Sequence, residues 1–378
     1  MEVLRSSTYA RYIFGGPRVV AFAGPRIALI VDVDSAGDEL DVERMAAEWA
    51  PATARMLGLL ESLLQLYESV TGYSPPLSDP WHGRMRVEVG DIGAAGLAHH
   101  GRLGFAVGPA FVKSMLDAQL EGRPCIHHVF GYEMLRNFID PDRFTRAFDY
   151  RCCAGACAAA GPAAASGSLA AARAAHLATC RTDADSWGWV NQGFVNVVGC
   201  LLSEQLRCSD RPVAFDYFGH TRSGFKRMME ENVERYLGGG AQPPPAAGGS
   251  AGGGPGYAYA WETVFLHDRL PWNDRSSLDN AYSGVLTQLY DECGGPALLA
   301  GMWRAIPVLL ENRAPSSKDD WRTAAENFAL AACVGAGADL SGKFAALRWP
   351  LRPGVLGPGS LAEALIAADG GGGSAERR

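Results

Sequence analysis

Apolar residues first cluster in two short runs, Arg18-Val19-Val20-Ala21-Phe22 and Ile27-Ala28-Leu29-Ile30-Val31, on either side of Gly24-Pro25. Short runs rich in branched side chains, divided by a turn pair, predict a β-hairpin. The period then changes. Met56, Leu59, Leu60, Leu63, Leu64 and Tyr67 recur every three or four residues, the spacing that lines one face of a helix. Asp41 is placed to cap that helix, and Gly72 with Pro75-Pro76 to end it near Thr71. Met85-Arg86-Val87-Glu88-Val89 alternates as a half-buried strand does, and Gly104-Phe105-Ala106-Val107-Gly108 reads as a short strand between glycines. A further helix carries Tyr132, Glu133 and Arg136. Beyond Trp187 the pattern is helical, with Pro307 and Pro315 as breaks. Strands first and helices afterwards predict an α+β protein.

Composition divides this order. Residues 1–150 form a strand-rich subdomain that ends in the helix bearing Glu133. Residues 151–182 are a low-complexity insertion, mostly Ala, Gly and Ser from Ala154 to about Ala178. Residues 183–237 begin a helical subdomain, and 257–352 complete it beyond a Gly/Pro-rich linker at 238–256. Residues 353–378 read as a tail, disordered from Gly370 onward.

Charge narrows the range of partners. A net charge of -7 argues against a nucleic-acid or anionic-membrane partner, which would favour a basic face. No apolar run is long enough to span a bilayer, and the first residues lack the apolar core of a secretory signal. Nine cysteines, odd in number and scattered, read as reduced thiols. Together these features predict a cytoplasmic or otherwise intracellular protein.

The candidate chemistry lies in Tyr132-Glu133-Met134-Leu135-Arg136-Asn137-Phe138. A zinc-peptidase helix reads H-E-x-x-H, two imidazoles one turn apart with a glutamate as general base. Here the glutamate is Glu133, and a phenol and a guanidinium stand where imidazoles would. Two further segments follow. Asn191-Gln192-Gly193-Phe194-Val195-Asn196 is similar to an E-G-x-A-D segment, with Gln192 in place of its glutamate. Glu326-Asn327-Phe328-Ala329-Leu330, Asp339-Leu340, Phe344 and Trp349-Pro350-Leu351 are similar to an N-F helix leading to a D-L-x-x-x-F and W-x-x-P-L-like end.

In these three places the chain resembles the gluzincin type of zinc metallopeptidase. Within that group it resembles the enhancin-like mucin-degrading peptidases and the plant basic secretory proteins. The resemblance implies a zincin-like fold, with a mixed N-terminal sheet and helices followed by a mainly helical subdomain. It makes Glu133 a vestigial general base, and Tyr132, Arg136 and Gln192 the positions of three lost metal ligands. It implies a pseudo-peptidase without a cofactor that keeps a cleft for a peptide or glycoprotein partner. Arg136 lies three residues from Glu133, close enough to supply positive charge where the metal would sit. The alternative is an active hydrolase in which Glu133 is general base and zinc is held by His127 or His128.

Other constellations carry less. His99-His100 add two imidazoles, but neighbours on a strand face opposite ways. Asp32, Asp34, Asp38 and Glu43 fall at EF-hand ligand positions with Gly37 at the turn; Ala36 removes a ligand, and the same run reads as a solvated turn capping the next helix. Cys152, Cys153, Cys157 and Cys180 match no zinc spacing. Ser223-Gly224 and Ser283-Gly284 lack a nucleophile-elbow pattern, and Gly252 to Gly256 lacks the Lys-Ser/Thr of a phosphate loop.

Overall fold

The computed structural model describes residues 1–6, 18–75, 81–92, 96–99, 102–139, 194–206, 221–238, 278–313 and 321–372. Contacts divide the chain into two units, Met1–Asp140 with Val198–Phe225, and Pro141–Val197 with Lys226–Arg378.

In the first unit the two apolar runs pair as the antiparallel strands β2 (Val19–Ala23) and β3 (Ile27–Asp32), as the sequence predicts. A helix outside the hairpin secures its turn. Glu61 of α3 (Ala50–Thr71) accepts the N–H groups of Arg26 at 2.7 Å and Ile27 at 2.8 Å. Two turns on, Glu68 pairs with the Arg26 guanidinium. Gly24 leaves room for this contact, since a Cβ there would lie 2.8 Å from the Glu61 carboxylate.

The single helix expected from Asp41 to Thr71 is broken in two. After α1 (Val33–Ala36), Asp41 caps α2 (Val42–Ala46) by accepting the Arg44 N–H at 2.9 Å. The chain then turns, and α3 starts afresh with Pro51 in its first turn. Proline is tolerated there because that N–H has no partner in any helix, whereas inside a continuous helix it would break a bond and clash.

Among the described residues, β1 (Glu2–Ser6), β4 (Met85–Val89), β5 (Gly96–His99) and β6 (Arg102–Val107) complete a six-stranded sheet of order β1-β2-β3-β4-β6-β5. β3, β4 and β6 run parallel; β2 beside β3 and β5 beside β6 run against them, and β1 pairs antiparallel with β2. A mixed sheet with helices followed by a helical part is the α+β architecture expected.

β4 departs from its expected half-burial, since all five of its residues are buried. Strands between parallel neighbours are covered on both faces. Met85, Val87 and Val89 share one face with Ile27, Leu29 and Val31 of β3 and with Phe105 and Val107 of β6. Arg86 and Glu88 share the other, their charged groups 3.9 Å apart and almost wholly buried.

Two helices follow β6. α4 (Pro109–Leu120) was not expected from the sequence; its inner stripe of Val112, Met115 and Leu116 is completed by a buried Gln119. α5 (His128–Arg136) is the expected site helix, and its Phe130 meets Phe105 edge to face, so α5 lies on the Val87 face of the sheet. Asn137 ties the end of α5 to β6. Its amide donates to the Glu133 carbonyl at 3.0 Å, and its oxygen accepts the Gly104 N–H at 3.1 Å. Gly104 has φ +82, and a Cβ there would collide with the Arg86 carbonyl.

The helix α6 (Val195–Ser203) gives its residues from Val198 onward to the first unit. The second unit contains most of α7 (Arg222–Gly238), then α8 (Leu278–Glu292), α9 (Pro296–Arg313), α10 (Trp321–Ala336), α11 (Ser341–Ala346) and α12 (Leu361–Gly372). Pro307, expected as a break, lies inside α9, which continues through it. Where a tail was expected from residue 353, α12 forms and buries Ala362. α9 and α10 touch backbone to backbone: a Cβ on Gly301 would collide with Gly335, and one on Gly335 with the Leu298 carbonyl. No single described helix is long and apolar enough to cross a membrane.

The two kinds of helical glycine predict opposite effects of one methyl group. Gly335→Ala overpacks the α9–α10 contact and should cost about 2 kcal/mol in urea unfolding. Gly58→Ala in α3 meets nothing within 4 Å and should add about 0.5–1 kcal/mol.

Candidate functional site

α5 starts where the sequence supplies an unusual cap. The His127 ring nitrogen Nδ1 accepts the Val129 N–H at 3.3 Å, and the ring is buried against Phe111. One turn on, Gly131 lets other elements come close. The Tyr67 hydroxyl of α3 donates to the Gly131 carbonyl at 2.9 Å, and a Cβ on Gly199 of α6 would lie 3.4 Å from the Gly131 carbonyl carbon. α5 is thus gripped from two sides at the residue before Tyr132.

The next turn holds the candidate site. The Arg136 guanidinium donates to Glu133 at 3.2 Å, with both side chains more than nine-tenths buried. Its carbon also lies 5.4 Å from the centroid of the Tyr132 ring, within cation–π range. Tyr132, Glu133 and Arg136 therefore form one contact set around a guanidinium; the i,i+3 spacing predicts its Glu133–Arg136 bond.

The edge strand β5 closes over this set. A Cβ on Gly96 would come within 2.7 Å of both Glu133 Cγ and Val129 Cγ2, so only glycine lets the strand lie on the helix here. Further along β5, the Ala98 backbone N–H donates to the Glu133 carboxylate. Burial pushes the Glu133 carboxyl above the usual carboxylate range; Arg136, the Ala98 N–H and nearby His128 offset part of that rise.

These residues do not fit a zinc ion. A guanidinium stays protonated and has no lone pair for a metal, and here it occupies the Glu133 carboxylate. His127 is committed to its cap, and half-buried His128 lies beside it with ring centroids 4.9 Å apart. Among the described residues, no three His, Cys, Asp or Glu side chains gather as a metal site would require. Gln192, His100 and the Cys152–Cys180 group lie outside the described residues, as does the His99 side chain.

No family model, curated protein or solved structure matches this chain.

The remaining candidates separate in space. Asp32 caps α1 through the Asp34 and Ser35 N–H groups, Asp34 pairs with Arg18, and Glu43 pairs with Arg5. These acids of the EF-like run serve caps and surface pairs. Ser283 is buried, while Ser223 sits exposed in the first turn of α7. The third segment of the resemblance is assembled within the second unit. The Trp349 indole N–H donates to the Ala325 carbonyl at 2.9 Å, and its ring packs with Phe328 and Phe344. Buried Glu326 pairs with both Arg313 and Arg352. Those residues lock helices together.

Gly96 and Ala98 were missed in the sequence. β5 is four residues long, too short for a period to register, and only the glycine beside a coming strand hinted at a close backbone approach.

Two outcomes follow from the buried pair. Arg136→Met strands the Glu133 charge and should cost about 3 kcal/mol near neutral pH, while Glu133→Leu/Arg136→Met should recover most of that loss. The pH dependence is set by the raised Glu133 carboxyl. The folded state keeps this proton where the unfolded chain has lost it. Its contribution is therefore full below the unfolded value and is lost as pH rises through the folded one. The stability of wild type minus that of Glu133→Gln, measured in urea, should fall with rising pH. A rise would mean that Arg136 outweighs burial.

Proposed function

We propose that this chain is a peptidase-like protein that has lost metal-dependent catalysis and retains a binding place for an extended peptide or glycoprotein segment. The observation that carries this reading is the Arg136–Glu133 bond, buried beneath an edge strand. A general base must be available to take a proton from water, and Glu133 instead neutralises a permanent cation. Around it the parts of a binding place remain. β5 ends the sheet and pairs with β6 alone among the described strands. Edge strands bind extended peptides by adding a strand, the main chain giving affinity and the side chains specificity. The zincin-like assignment of the sheet and helices belongs to the same proposal, supported by the order strand, helix, three strands and, after α4, the site helix, and by α6 packed against α5 at Gly131.

The test combines metal content with a peptide panel. Protein purified without chelator or affinity tag is assayed for zinc by elemental analysis, then incubated with a random nonapeptide library read by mass spectrometry. The reading expects peptides retained and none cleaved, with zinc added or not. About one zinc per chain, with cleavage abolished in Glu133→Gln, would return Glu133 to catalysis with His127 or His128 as ligands. A library neither retained nor cut would remove the binding role.

A further inference from the structure

We infer that Glu133 is a latch on β5, holding the outer edge of that strand closed through the Ala98 backbone N–H; this rests on the proposal that an extended peptide adds to that edge. In an antiparallel strand, successive residues turn their N–H groups alternately toward the neighbour and away from it. β5 spans Gly96–His99, so one bond takes about half of the outward donors it can offer. The Ala98 N–H goes to the Glu133 carboxylate. The ladder to β6 is irregular at this point, with its register shifting between Ala98 and His99. Such irregularities re-aim backbone groups at strand edges.

The packing leaves the carboxylate little choice. Glu133 Cγ is pressed against Gly96, and Val129 Cγ2 lies against the same residue one turn earlier. From its own helix Glu133 is faced by Arg136 at 3.2 Å and by His128, and from β5 by the Ala98 N–H. A carboxylate can accept several bonds at once, so Arg136 and Ala98 share it. An incoming strand needs the Ala98 N–H for one of its own carbonyls. It obtains that donor when Glu133 turns to Arg136 alone. In this arrangement the former general base guards the peptide edge, and Arg136 holds its charge while the latch is open.

Hydrogen exchange of the full chain reads the latch directly. In Glu133→Leu/Arg136→Met no charge is stranded and no acceptor faces Ala98. Amides of Leu97–His99 should exchange about tenfold faster than in wild type, while those of β3 and β4 keep their rates. Glu133→Gln/Arg136→Met retains an acceptor oxygen and should restore most of the protection. Equal rates in wild type and the leucine variant would overturn the latch, as would equal losses in both double variants.

The nonapeptide library separates the two proposals: the leucine variant should retain about ten times more peptide than wild type. Faster exchange without that gain would sink the peptide-binding reading and leave the latch standing.

Discussion

The Glu133 carboxylate lies at the meeting point of a cation, a strand edge and a helix, and its burial organises the surroundings. An isolated carboxylate in such a place would cost several kcal/mol. Arg136 offsets part of that cost from one turn away, and the Ala98 N–H contributes from the strand. Because both partners must be present, α5 and β5 are held in one relative position. Asn137 then carries the constraint to β6, and Gly131 carries it to α3 and α6. Few positions around this carboxylate can vary independently.

Much of the first unit was legible in the chain. The hairpin, the stripe of α3, the strands at Met85 and Gly104 and the helix of Glu133 each rest on a local pattern, a period or a turn pair, that neighbours do not alter. What stayed hidden depended on neighbours. Arg86 and Glu88 look solvent-facing because nothing within β4 reveals that its second face is covered. The break between α2 and α3 follows from Pro51, which an unbroken count of apolar positions passes over. α4 was missed because its stripe is completed by glutamine. The clamp of Glu61 on the hairpin turn joins residues far apart in sequence, and no periodicity encodes such a bond.

For the candidate site the division is similar. The i,i+3 spacing of Glu133 and Arg136 was enough to place a guanidinium on a carboxylate, since helix geometry alone brings such pairs together. The Tyr132 ring contact with Arg136, four residues on, was not foreseen. The strand above them was invisible, being four residues long and marked by one glycine. Where residues act through backbone atoms, as Gly96 and Ala98 do, side-chain identity carries almost no signal.

The charged pair inside β4 has a consequence for how the sheet assembles. Parallel strands made of short apolar residues offer several registers of similar energy, and a slip of one residue turns every side chain to the opposite face. For β4 that slip would drive Arg86 and Glu88 against Phe105 and the helices beyond, while Val87 moved to their place. The two charges therefore act as a key that fits in one orientation. They mark the central strand so that it can enter the sheet only one way up.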